Sequence, residues 1–279
     1  MADIGLTTLR RRSRRKIDLR RQGGFGTVAL LCLAFLYAPI AVLVVFSFNG
    51  SVSTAHLEGF SLQWYARAFA NDDMQHAAWI SLQVALVATV VATSVATCAA
   101  LVTTRTKPWR GMTGSYMVIN MPLMVPEIVT AVATLIFFAL IANTLGLQFG
   151  IAKLMLAHTV FCIPFAYMPI RARLEDMDKT LEQAAADLYA TPFQAFRRVT
   201  LPLLMPGITA GAMLSFVVSF DDFTISQLVA GPGETTLPIH IYNSIRRGIT
   251  PEINAMSSLI LVASILLVTL SFLVSRARR

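Results

Sequence analysis

Three carboxylates interrupt otherwise apolar stretches of this chain. Asp221 and Asp222 follow the apolar run that begins near Pro206, and Glu127 follows Pro126 in another such run. An ionised carboxylate inside a bilayer is costly unless water or a partner stabilises it. A carboxylate that is kept there favours a cation by direct Coulomb attraction. We therefore predict that Asp221, Asp222 and Glu127 lie along the path of a small cationic solute.

The two adjacent aspartates are not expected to share one role. Neighbouring residues on a helix point about 100° apart, so one face cannot present both equally. One of them is expected to face the path, while the other binds a neighbouring helix or caps a break in its own. The sequence also allows the alternative that the pair only orders a helix end and never meets the solute.

No motif for enzyme chemistry accompanies these carboxylates. The sequence contains no G-x-x-x-x-G-K-[ST] phosphate loop, no H-E-x-x-H and no G-x-S-x-G. Its four histidines and three cysteines are scattered, which provides neither metal-ligand spacing nor a disulfide framework. We predict no catalytic residue, metal site or cofactor in this chain, and we expect His158 to be a hydrogen-bonded packing residue.

A polar interval, residues 178–207, separates two apolar segments. In its first half, apolar residues recur at helical spacing: Leu181, Ala184, Ala185 and Leu188. In its second half, Thr191 and Pro192 are typical of a helix start, with a hydroxyl cap and a proline that loses no hydrogen bond there. The pattern predicts a helix–turn–helix outside the bilayer, whose apolar face either docks a partner or folds back on the chain.

The second helix of this interval is expected to be short. Phe193 and Phe196 lie on one of its faces, and Pro202 and Pro206 are expected to limit it.

The interval resembles the E-A-A-x3-G-x9-I-x-L-P loop of binding-protein-dependent ABC importer permeases. Gln183, Tyr189 and Val199 stand where that motif has Glu, Gly and Ile, while Ala184-Ala185, the spacing and Leu201-Pro202 are kept. Almost the whole chain resembles the second permease of spermidine/putrescine importers. The stretches that carry this resemblance are Leu36-Tyr37-Ala38-Pro39-Ile40, Phe46-Ser47-Phe48-Asn49-Gly50-Ser51, Gln63-Trp64-Tyr65, Ser219-Phe220-Asp221-Asp222-Phe223, Gly231-Pro232-Gly233, Leu237-Pro238 and Pro251-Glu252-Ile253-Asn254-Ala255.

The resemblance implies an all-α polytopic membrane protein with six transmembrane helices and a cytoplasmic helix–turn–helix coupling loop at 171–205. That loop would insert into a groove on a separate ATPase dimer, which would hold the ATP and magnesium. The other implied partners are a second homologous permease, forming a heterodimer, and a periplasmic solute-binding protein. The coupling residues would be Glu182, Gln183, Ala184, Ala185, Asp187, Tyr189, Phe193 and Phe196. The cargo would be putrescine, spermidine or a related cation.

The composition agrees with a membrane domain. The chain has 279 residues, of which 56% are hydrophobic and only 14% charged, whereas charged residues make up about 25% of a soluble domain. A helix of about 20 apolar residues crosses a bilayer. We predict a cytoplasmic basic tail at 1–24 and one permease domain at 25–279. Its six spans are predicted at 25–48, 77–102, 116–142, 151–170, 206–229 and 253–274.

The basic residues predict the orientation of these spans. Six spans place both termini on one side, and nineteen of the 23 Lys and Arg residues lie there or in loops on that side. The other side holds Arg67, Lys153, Arg246 and Arg247. Since Lys and Arg are enriched on the cytoplasmic side, both termini and the coupling loop are expected in the cytoplasm of a bacterium. The net charge of +8 therefore reflects membrane orientation and not nucleic-acid binding.

The outer loop at 230–252 is predicted to carry a short amphipathic helix. Arg246 and Arg247 within it would contact an acidic rim of the binding protein, or would only lie at the lipid headgroups.

An ion-coupled transporter or channel that uses Glu127, Asp221 and Asp222 is the alternative function. That alternative has no need of a helix–turn–helix with this spacing, and the motif search disfavours a membrane enzyme.

Overall fold

This computed structural model describes residues 23–52, 56–248 and 250–277. The predicted basic tail at 1–24 therefore lies almost entirely outside the described residues. The described chain is helical, and its only β contact is an isolated antiparallel bridge between Asn49 and Phe60. The helices are α1 Gly23–Phe46, α2 Gln63–Ala70, α3 Asp72–Arg105, α4 Met112–Met124, α5 Glu127–Leu145, α6 Ile151–Asp176, α7 Thr180–Asp187, α8 Pro192–Ala195, α9 Leu201–Asp221, α10 Thr224–Val229, α11 Leu237–Arg247 and α12 Pro251–Ala277.

Five helices of the described residues are long and apolar enough to cross a membrane. They are Gly26–Phe46, Asp72–Arg105, Glu127–Leu145, Ile151–Asp176 and Pro192–Asp221. The sixth predicted span lies within α12, and over the residues whose side chains are described it forms the shorter apolar helix Pro251–Leu266. The all-α membrane fold is thus confirmed, and the count of six crossings stays a prediction.

The core of the bundle is formed by α3, α6 and α9. A stripe of fully buried alanines on α3, from Ala85 to Ala100, lets the neighbouring backbones come close. A second stripe of small buried residues on α9 faces α6: Gly207, Gly211, Ser215 and Ser219. A Cβ atom at Gly211 would lie 2.7 Å from the backbone oxygen of Ala166. Small residues are what allow membrane helices to pack this closely.

The third predicted span is broken into α4 and α5. Val125 between them is extended, with φ −91° and ψ 136°, because a residue before proline is driven out of the helical region. Pro126 and Glu127 then begin α5. The break falls at Pro126 and Glu127, two of the residues expected to interrupt the span at 116–142, and of the two helices only α5 is long and apolar enough to cross a membrane.

The fifth span also differs from its predicted bounds. Pro202 and Pro206 do not end the preceding helix, since α8, a π-helical turn at Phe196–Thr200 and α9 run on continuously. The N–H of Leu201 bonds to the oxygen of Phe196, five residues back, so the backbone hydrogen bonds are already irregular where Pro202, which has no N–H, follows. At its other end α9 stops at Asp221, and α10 is a separate helix.

Candidate coupling loop and acidic break

The polar interval folds as the predicted helix–turn–helix. α7 ends in a Schellman motif, in which Ala190 N–H donates to Ala185 O (3.0 Å) and Tyr189 N–H donates to Ala186 O (2.9 Å). α8 then begins with a reciprocal cap: Gln194 N–H donates to Thr191 Oγ1, and Thr191 N–H donates to Gln194 Oε1. These local bonds fix the turn between the two helices.

Tyr189 occupies the position at which such motifs usually have glycine. Its φ of +59° makes it the only non-glycine residue with positive φ in the described part of the chain. The left-handed conformation costs an L-residue about 1–2 kcal/mol. The residue is 96% exposed, so no packing against the described part of the chain offsets that strain.

The side of the coupling loop that faces away from the membrane helices is apolar and exposed to solvent. Leu188 is 82% exposed and Phe193 68% exposed beside Tyr189. Among the other predicted coupling residues, Gln183, Ala184 and Asp187 are exposed, while Ala185 and Phe196 are partly buried. Phe193 and Phe196 therefore do not share one equally open face.

Glu182 points the other way, towards the membrane helices. Its carboxylate pairs with Arg105 Nε at the end of α3 (3.1 Å) and accepts a hydrogen bond from Thr200 Oγ1 (3.0 Å). Glu182 thus ties α7 to α3 and to the start of α9. Arg105 and Thr200 were not predicted as partners of Glu182. Arg105 and Glu182 are 77 residues apart, so their pairing leaves no local pattern in the sequence.

At the start of the loop, a hydrogen bond from Thr180 N–H lowers the pKa of the exposed Asp178 carboxyl.

Asp222 caps the break between α9 and α10. Its carboxylate accepts hydrogen bonds from the N–H groups of Ile225 (3.3 Å) and Ser226 (2.9 Å) and from Ser226 Oγ (3.1 Å). The residue is only 7% exposed. Of the two roles open to the aspartate pair, capping a break belongs to Asp222.

His158 fastens α6 to both sides of that break. Its Nδ1 lies 2.8 Å from Ser219 Oγ on α9, and its Nε2 lies 3.1 Å from Ser226 Oγ on α10. The same Nε2 is 3.4 Å from Asp222 Oδ2. His158 is fully buried and hydrogen-bonded, in agreement with the packing role expected of it.

The three predicted path carboxylates are not all brought together. The Glu127 carboxyl, in the first turn of α5, faces Asp222 and Thr224. Asp221 points away from them into a cleft beside α11 and α12, where it lies near Phe223 and Tyr242. The structure therefore joins Glu127 with Asp222 and separates Asp221 from both.

The outer loop is held by contacts that the sequence did not reveal. Glu234 pairs with Lys153 Nζ of α6 (3.3 Å), and the N–H of Leu237, at the start of α11, donates to Ser81 Oγ of α3 (2.8 Å). The predicted amphipathic helix of this loop is α11. Arg246 and Arg247 are exposed at its end.

Partial burial, with the charge of Arg247 nearby, lowers the pKa of His240 in α11 below its usual value.

Comparisons with known proteins agree with this geometry. Residues 96–278 match the family described as binding-protein-dependent transport system inner membrane component. The chain is 39% identical over 238 residues to the putrescine transport system permease protein PotI of Escherichia coli (strain K12), covering 85% of each chain. It is 36% identical over 255 residues to the spermidine/putrescine transport system permease protein PotC of the same organism, covering 91% of this chain and 94% of that one.

A solved structure shows the same fold. A chain of a bacterial ABC transporter involved in the import of the acidic polysaccharide alginate superposes with a TM-score of 0.74 at 14% identity, covering 91% of this chain and 94% of that one. The protein therefore belongs to the family of binding-protein-dependent inner membrane transport components. It is a permease subunit of an ABC importer, a multi-pass inner membrane protein and not an enzyme. This membership sets aside the ion-coupled transporter or channel.

Proposed function

We propose that this permease moves a small cationic solute of the putrescine or spermidine type from a periplasmic binding protein into the cytoplasm. The observation that carries the proposal is the acidic break between α9 and α10 in a chain whose relatives are named as polyamine permeases. Glu127 and Asp222 meet at this break and Asp221 lies beside it, so acidic groups line a low-dielectric region where attraction for a cation is strong. We assign these three residues to the substrate path.

The energy for this movement comes from a separate ATPase dimer that holds ATP and magnesium. The open surface of α7 and α8 supports docking into that dimer, because Leu188, Tyr189 and Phe193 would otherwise stay in water. Gln183, Ala184, Ala185, Asp187 and Phe196 complete the surface. Glu182 lies on the opposite side of α7 from this surface and connects α7 to α3 and α9.

The remaining partners follow from the same architecture. A second homologous permease completes the pathway as a heterodimer. α1 supports this, since its apolar stretch Gly26–Phe46 is not buried against the described residues, and lipid or a partner must cover it. On the outer side, Arg246 and Arg247 receive an acidic rim of the solute-binding protein.

Transport by the purified assembly tests the substrate. The permease pair, the ATPase and the binding protein are reconstituted in proteoliposomes, and uptake of labelled putrescine, spermidine, a neutral diol and a dicarboxylate is compared. We expect ATP-dependent uptake of the polyamines alone. Uptake restricted to the neutral or the anionic solute would contradict the proposal.

A further inference from the structure

A cleft lies where the outer end of α9 meets α11 and α12. Its volume is about 360 Å³. Aliphatic residues of α11 and α12 form one side, and Phe220, Phe223 and Tyr242 form much of the rest. Asp221 is the only charged residue among those that line it. Apart from Ser257, the other lining residues are apolar or aromatic, so the Asp221 carboxylate is the only charge that this wall presents.

The Asp221 carboxylate differs from its neighbour in having no structural task. Both carboxylate oxygens of Asp222 accept hydrogen bonds that cap α10, and Asp222 is buried. Asp221 makes no hydrogen bond or ion pair with any residue that the structure describes, and it is exposed to the cleft. A helix end needs one capping carboxylate, and Asp222 already supplies it.

The aromatic walls of the cleft are suited to a cation. The rings of Phe223 and Tyr242 are in contact, with their centroids 4.7 Å apart. The guanidinium of Arg246 lies 5.8 Å from the centroid of the Tyr242 ring, within the range of a cation–π contact. Ring faces attract ammonium groups through their quadrupole, most strongly where water is excluded.

We propose that this cleft is a binding site for one ammonium group of the transported polyamine, held between the Asp221 carboxylate and the rings of Phe223 and Tyr242. The aliphatic wall of α11 and α12 packs against the methylene chain that follows the ammonium. Asp221 lies 20 residues beyond Leu201, about 30 Å along the axis of α9. This end of α9 is opposite the coupling loop, where a solute released by the binding protein arrives first. The inference rests on the proposed polyamine function.

Substitutions of Asp221 in the reconstituted complex test the site. We expect Asp221→Asn to lower ATP-dependent putrescine uptake about tenfold, because a charge-assisted contact to the ammonium is lost. Asp221→Glu keeps the charge and should restore most of the uptake. Tyr242→Leu should lower uptake about threefold, as expected for one cation–π contact. Asp72→Asn, which removes an exposed carboxylate outside the cleft, is the matched control and should transport as the native complex does.

A labelling experiment separates binding from coupling. Ser257→Cys, which lines the cleft and leaves the Asp221 carboxylate in place, is introduced with Cys32 and Cys98 replaced by serine, and its reaction with a cationic methanethiosulfonate is followed in the assembled complex. Putrescine should slow the labelling, while butane-1,4-diol, which has the same length and no charge, should not.

Each outcome decides the inference. Equal uptake by the native and Asp221→Asn complexes, or labelling that putrescine does not slow, overturns the ammonium site while the polyamine function stands. A native complex that carries no polyamine overturns the proposed function itself, and the site with it.

Discussion

Tyr189 combines backbone strain with a side chain that is fully open to solvent. Removing the ring and relieving the strain are separable, since Tyr189→Ala removes the ring and keeps the strain, while Tyr189→Gly removes both. If the ring contacts the ATPase, both variants should weaken its association about tenfold, as for a buried interface tyrosine. Association of purified ATPase with the permease pair is the measurement. Native association in both variants would show that the loop is passive.

His158 is the residue on which the geometry of the acidic break depends. Its removal leaves the hydroxyls of Ser219 and Ser226 without their ring partner in a buried site. We expect His158→Ala to lower the stability of the complex by about 1–3 kcal/mol, measured by thermal unfolding in detergent. His76→Ala removes an exposed histidine and is the control. Equal unfolding temperatures of the two variants would be evidence against the fastening role.

At the scale of elements, the coupling loop is joined to the bundle through Glu182 and Arg105. The pair is partly buried, with side chains 26% and 14% exposed, so it is less screened than a surface pair. We expect Glu182→Gln and Arg105→Ala to reduce putrescine transport more than ATPase association, because the docked helix would no longer move α3 and α9. The exchange of Arg105→Glu with Glu182→Arg should recover part of the transport. Failure of the exchange, together with unchanged single variants, would exclude this linkage.

The contact between α6 and α9 depends on the absence of a side chain at Gly211. A Cβ there would lie 2.7 Å from Ala166 O, which is backbone and cannot move away cheaply. Gly211→Ala should therefore lower the unfolding temperature of the complex. Gly114→Ala is the matched control, because no atom outside its own helix neighbourhood lies within 4 Å of that Cβ. Alanine in an exposed helix is favourable by up to about 1 kcal/mol, so the control should be neutral or slightly more stable.

For the whole molecule, the charge distribution predicts which side faces the cytoplasm. Single cysteines at Ser244 in α11 and Lys179 before α7, with Cys32 and Cys98 replaced by serine, test this. A membrane-impermeant thiol reagent should label Ser244→Cys from outside and Lys179→Cys only from the cytoplasmic side. The opposite pattern, or labelling of both from one side, would refute the predicted orientation.

The sequence by itself determined the class of this protein. Apolar length, the asymmetry of Lys and Arg, and the spacing around Gln183 and Thr191 are local properties, because bilayer thickness and helix caps act over a few turns. The same holds for the break before Pro126, since proline restricts the residue next to it.

Only the tertiary structure decided which role each of the site residues has. Asp221 and Asp222 are adjacent in sequence, yet Asp222 caps α10 beside His158 while Asp221 faces a cleft. Glu182 lies within the coupling motif but turns inward to Arg105. The Asp222 cap itself is local, but His158 beside it and the Arg105 partner of Glu182 come from distant helices. A buried polar group goes to whichever partner the packing brings within hydrogen-bond range. The close approach of α6 and α9 at Gly211 is such packing, and it accompanies the hydrogen bond between His158 and Ser219.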